Sequence, residues 1–179
     1  MRVESPQRLR RMVVAALMLA LAYILPYFTG NIPQIGSMLL PMHLPTILCG
    51  FLCGGMWGGV VGFVAPITRS LLTGGFPPMF PTAISMAFEM AAYGLVSGIL
   101  YKRLPKNLKG IYISLICAML CGRVVWGLVM TVFLAGGSGF AMSAFLAGAF
   151  TNAIPGIVLQ LVAIPAIVAA LQRSHIRIV

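Results

Sequence analysis

The chain has 179 residues, 60% of them hydrophobic and 8% charged, with a formal net charge of +10 and a mean hydropathy of +1.04. No soluble domain of this size can hide so much apolar surface, so the composition predicts an all-α membrane protein, one transmembrane domain spanning residues 1–179. The basic residues gather at the ends of apolar runs, at Arg2, Arg8, Arg10 and Arg11, at Lys102, Arg103, Lys106 and Lys109, and at Arg173 and Arg177. A nucleic-acid surface would need a continuous basic face instead, so these clusters read as topology signals beside a lipid bilayer.

The first helix is expected over Met12–Phe28, long enough to cross a hydrocarbon core of ~30 Å. Its basic flank mimics a signal peptide, but the apolar run continues to Tyr27 and Phe28 without a small-residue cleavage site. Residues Thr29–Pro41 are rich in Gly, Pro, Asn and Gln and read as a loop. Two glycine-rich breaks, Gly54–Gly59 and Thr73–Pro81, divide the next apolar stretch into helices over Leu44–Cys53, Trp57–Leu72 and Thr82–Tyr101. A fifth helix is expected over Gly110–Leu134. After a Gly136–Gly139 turn, a sixth runs over Met142–Leu171, with Pro155 and Pro165 as kinks. The basic clusters place the N-terminus, the 102–109 loop and the C-terminus in the cytoplasm. Four crossings before that loop and two after it satisfy all three, giving six transmembrane helices.

Two C-x-x-x-C pairs, Cys49/Cys53 and Cys117/Cys121, each share a helix face. With no acidic residue or His close by in sequence, small-residue packing is the stronger reading and a metal site the weaker. No disulfide framework, metal or cofactor is expected.

Glu89 and Arg123 each stand inside a long apolar run, where a charge is costly and marks a pathway, a partner or a ligand. With a rise of ~1.5 Å per residue, both fall roughly 10 Å from the outer face of a ~30 Å core. Arg69 lies at a similar height and Asn152 slightly deeper, with His43 at the outer rim before the second helix. These five residues are the candidate substrate-binding set. Two readings compete. In one, Glu89 and Arg123 form a structural ion pair that fixes helix packing in a membrane-embedded assembly protein without a ligand, and Arg69 snorkels to the outer surface. In the other, the groups line a pocket that opens outward, carries an excess cation and suits a carboxylate or phosphate. The inner half offers only Gly, Ala and Cys, so the chain is not a self-sufficient channel. It is no enzyme either. The serines Ser138 and Ser143 lie outside while His175 lies inside, a single intramembrane carboxylate cannot make an aspartyl pair, and no phosphate-binding loop supplies a motor.

The helix-1 segment Ala16-Leu-Met-Leu-Ala20 places small residues one turn apart, where another helix can approach closely. With six helices, cytoplasmic termini and an outer-half pocket, the chain resembles the substrate-binding S components of energy-coupling factor (ECF) vitamin transporters. The run from Met42-His43 to Cys53-Gly54, with Gly62-Phe63, Pro66, Ala87-Phe88-Glu89 and Tyr93-Gly94, is similar to the branch that includes pantothenate and folate S components. The resemblance implies a bacterial plasma-membrane protein that captures a small vitamin from outside. It implies docking through Ala16 and Ala20 on a transmembrane coupling protein, which works with two ATPase subunits. It adds weight to Glu89, Arg123 and Asn152, because helices 4–6 and the first loop usually build the family's pocket, and takes some from Arg69. Pantothenate is the first choice of cargo.

Overall fold

The computed structural model describes residues 6–28, 38–134 and 153–173. Among them are six α-helices and no strand: α1 (Pro6–Phe28), α2 (His43–Cys53), α3 (Gly55–Leu72), α4 (Ile84–Arg103), α5 (Leu108–Leu134) and α6 (Ile154–Arg173), with one π-type turn at Met79–Ala83 leading into α4. Four apolar stretches, Gln7–Phe28, Met79–Arg103, Leu108–Leu134 and Ile154–Arg173, are long enough to cross a membrane, and α2 is a shorter apolar helix.

Local chemistry sets the boundaries. α1 starts six residues before the expected Met12, because Pro6 suits a first helical position and Arg8, Arg10 and Arg11 continue the helix, the first two exposed and Arg11 half-buried. α4 ends at Arg103 because Pro105 holds the preceding Leu104 extended, at φ −91° and ψ 158°. Lys102 and Arg103 complement the carbonyl end of that helix. α5 begins at Leu108 because the Asn107 side-chain oxygen accepts the Gly110 N–H at 2.8 Å, a helix-start cap. α6 begins at Ile154, and the part of the expected helix before Ala153 lies outside the described residues. Pro155 therefore sits in the first turn, where a missing N–H costs nothing, and is not a kink, whereas Pro165 lies inside the helix.

The glycine-rich stretch 54–59 is a loop only at Gly54. That residue has φ 94° and ψ 162°, a backbone open to glycine, and its N–H returns to the Gly50 carbonyl at 3.0 Å. Gly58 and Gly59 are helical, because they are packing residues. A Cβ on Gly94 would fall 2.2 Å from the carbonyl carbon and oxygen of Gly58. α2, α3 and α4 therefore meet backbone to backbone, the close approach that small residues permit between apolar helices.

Around this knot, α4 is central and packs against α2, α3 and α5, with α1 on α2 and α3, and α6 on α5 and α2. The shared core includes Ala15, Met18, Ile47, Phe51, Met90, Tyr93, Leu115 and Ile164. Large apolar side chains such as Leu17, Val124, Leu128 and Val162 face outward, as lipid contact requires. Cys49 and Cys53 are buried as the packing reading expects, but Cys117 is half-buried and Cys121 exposed, so the second pair lies toward the lipid face.

One end of the bundle is closed by Tyr101. Its ring packs edge-on against Phe51 at 4.8 Å, and its hydroxyl accepts a 2.6 Å bond from Gln172 Nε2. Lys106 Nζ lies 3.7 Å from the ring centroid and donates to the Tyr101 carbonyl at 2.5 Å. The end of α6 is thus tied to the α4–α5 connection, leaving the polar residues farther along α4 to face the opposite end.

Candidate functional site

Glu89 is buried on α4, and its two carboxylate oxygens take different partners. Oε1 accepts from Arg123 Nη1 at 2.7 Å and from the Tyr93 hydroxyl at 2.9 Å. Oε2 faces His43 Nε2 at 3.7 Å. The imidazole in turn meets the Tyr93 ring edge-on, 5.3 Å between centroids. Four side chains from three helices thus form one buried polar cluster.

Each is placed by local sequence. Glu89 and Tyr93 are four residues apart and so share a face of α4. Arg123 follows Gly122 on α5, and Gly122 leaves room for the Tyr93 ring, since a Cβ there would lie 2.5 Å from Tyr93 Cε1. His43 opens α2, only 2% exposed. It is therefore not a rim residue before the helix, as its sequence position suggested, because the start of α2 is packed against α4.

A carboxylate at this depth is tolerated because it is ion-paired and accepts two hydrogen bonds at Oε1. The Glu89–Arg123 pair is neutral as a unit. Arg69 is 3% exposed on α3, so it does not snorkel outward; its side chain is held within the protein. Among the described residues, Glu89 is ion-paired with Arg123 and faces His43, and Arg69 does not share that carboxylate. Asn152 lies outside the described residues. Ala16 and Ala20 are exposed on α1, on the face opposite Ala15, Met18 and Ala22, which turn to the core.

Two buried polar residues escaped the sequence reading as members of a site. Tyr93 carried a signal, its four-residue spacing from Glu89. Gln160, 1% exposed on α6, carried another, as a carboxamide in the middle of an apolar helix. Among the described residues no group of three or more His, Cys, Asp or Glu side chains is placed to hold a metal ion.

The described helices form an apolar bundle with a buried ionisable cluster inside it and small residues exposed on α1. The profile of the family described as "ECF transporter, substrate-specific component" matches residues 10–168. The chain belongs to that family. No curated protein and no solved structure matches it at a significant level. Membership makes this S component a membrane-embedded transport subunit and not an enzyme. S components bind a small substrate and work with an ECF module in the membrane.

Proposed function

We propose that this S component captures a small water-soluble vitamin, with pantothenate as first candidate, from outside the cell for ATP-driven uptake. In this reading the chain is one six-helix domain that crosses the membrane six times with both termini in the cytoplasm. The His43 end of the bundle faces outward, and the Tyr101 end, beside the basic residues Lys102, Arg103, Lys106 and Lys109, faces the cytoplasm. The observation that carries the reading is the buried Glu89–Arg123–Tyr93–His43 cluster, since an apolar bundle has no reason of packing alone to hold so many polar groups.

Glu89, Arg123, His43, Arg69 and Asn152 are assigned to the substrate site. Two buried arginines against one buried glutamate favour a cargo with an anionic group, which the pantothenate carboxylate supplies. Ala16 and Ala20 are assigned to docking on a transmembrane coupling protein that operates with two ATPase subunits, because the two residues are small, exposed and one turn apart on α1.

The test is to purify the protein in detergent, identify co-purifying small molecules by mass spectrometry, and titrate pantothenate by calorimetry. Tight binding that collapses in Arg123→Ala, with helical content retained, supports the assignment. The 2.7 Å ion pair gives one specific observation in favour of a framing role, in which the pair shapes the cup and its neighbours read the cargo. Unfolding of Arg123→Ala and Glu89→Ala with no small molecule ever bound would sink the vitamin reading.

A further inference from the structure

Gln160 is the polar residue of α6 that neither the ion pair nor the Tyr101 closure uses. It is 1% exposed, and its amide nitrogen has no hydrogen-bond partner among the described residues. Burying such a donor unpaired is unfavourable, so a site that keeps one is either strained or built for an incoming acceptor.

One contact sets its level and a second sets what α6 packs against. At the Tyr101 end, Gln172 of α6 is hydrogen-bonded to Tyr101 of α4. Gln160 lies twelve residues before Gln172, and Glu89 twelve before Tyr101. Both therefore stand about 18 Å from that anchor, if the helices run alongside at ~1.5 Å per residue. At the opposite end, Gly156 abuts the backbone of Met38 and Leu39, where a Cβ would come within 2.6 Å of the Met38 carbonyl oxygen. Gln160 follows Gly156 by one turn of α6, so the part of α6 that carries it packs beside the chain leading into α2. Measured from the Tyr101 anchor, Gln160 arrives at the level of Glu89, which faces His43.

At that level the carboxylate is already engaged by Arg123 and Tyr93, whereas neither ring nitrogen of His43 makes a hydrogen bond. Among the described residues, the His43 ring nitrogens and the Gln160 amide nitrogen are buried without a hydrogen-bond partner. A carboxamide N–H₂ only donates, so its complement is an acceptor. An ionised acceptor here would stand near the Glu89 carboxylate in a low-dielectric interior, which is unfavourable. We propose that Gln160 is a specificity-determining residue of the substrate site, donating to an uncharged carbonyl of the cargo such as an amide or a ring lactam. This inference rests on the proposed vitamin-binding function. The anionic end of the cargo then belongs elsewhere, away from the Glu89 carboxylate.

The full-length protein in detergent is offered an equimolar panel of pantothenate, biotin, riboflavin, folate, nicotinamide and thiamine, with binding read by native mass spectrometry and calorimetry. Thiamine is the member without a carbonyl. Melting of the ligand-free protein is measured in parallel for wild type and Gln160→Leu, with Gln160→Met in its place if the leucine variant does not fold. The expected result is that wild type selects a carbonyl-bearing member and the variant loses about 10- to 100-fold in affinity. Its ligand-free melting temperature should stay level or rise, because an unpartnered donor has been removed. A merely structural glutamine would move the other way, so a lower melting temperature overturns the assignment. Retention of affinity within about twofold, or selection of thiamine, also overturns it while leaving the vitamin reading intact. Binding of no panel member by wild type removes both.

Discussion

Removing one member of the Glu89–Arg123 pair should destabilise the protein far more than removing both. At 2.7 Å the two charges attract by about 6 kcal/mol at an effective dielectric of ~20. Desolvation costs several kcal/mol for each ion, so the net contribution of the intact pair is small. The single variants leave that desolvation uncompensated. Arg123→Met leaves Glu89 with the Tyr93 hydroxyl at 2.9 Å and His43 at 3.7 Å, so a loss of about 3 kcal/mol is expected. Glu89→Leu leaves Arg123 buried without its carboxylate and also strips Tyr93 of its acceptor, so its loss should reach about 5 kcal/mol. The double variant Glu89→Leu/Arg123→Met buries no charge and should lose about 2 kcal/mol or less, far below the sum of the singles, about 8 kcal/mol. The assay is SDS-induced and thermal unfolding in detergent micelles, followed by helical circular dichroism. Additivity within about 0.5 kcal/mol, or a negligible effect of either single change, would show that the charges do not share a dry interior.

Further outcomes follow from packing. Gly94→Ala should cost about 3 kcal/mol or prevent folding, since its Cβ would lie 2.2 Å from the Gly58 backbone, whereas Gly59→Ala, with its nearest neighbour at 3.5 Å, should be neutral or stabilising by up to ~1 kcal/mol; unfolding of the two variants side by side separates the cases. Tyr101→Phe should cost about 1 kcal/mol through the lost Gln172 bond and speed amide exchange in the last turns of α6, and unchanged exchange there would mean the tie does not hold that end. Ala16→Trp should abolish copurification with a coupling module without weakening small-molecule binding, and equal losses in both assays would contradict the docking face on α1.

Much of the fold was legible because membrane insertion simplifies the sequence code. Lengths of apolar runs and the prolines and glycines between them located all six described helices, since lipid demands that every backbone group be satisfied within its own helix. The misreadings have physical causes. Gly55 looked like a loop residue, ahead of a helix expected only from Trp57, because a glycine that breaks a helix and one that lets two helices touch are the same letter. Arg69 looked free to snorkel because helix position does not reveal which way a long side chain turns. His43 looked like a rim residue because the packing of α2 against α4 is a long-range contact.

The amino-acid sequence by itself determined the apolar helical class, the positions of the breaks and the presence of two charges with no place in lipid. Those are local properties, carried by hydropathy, capping and proline geometry. Only the tertiary structure decided that Glu89 and Arg123 close on each other, that Tyr93 and His43 complete the cluster, and that Gln160 is buried with its amide nitrogen unpartnered. Helix-to-helix register decides them, and it depends on which glycines let which backbones meet.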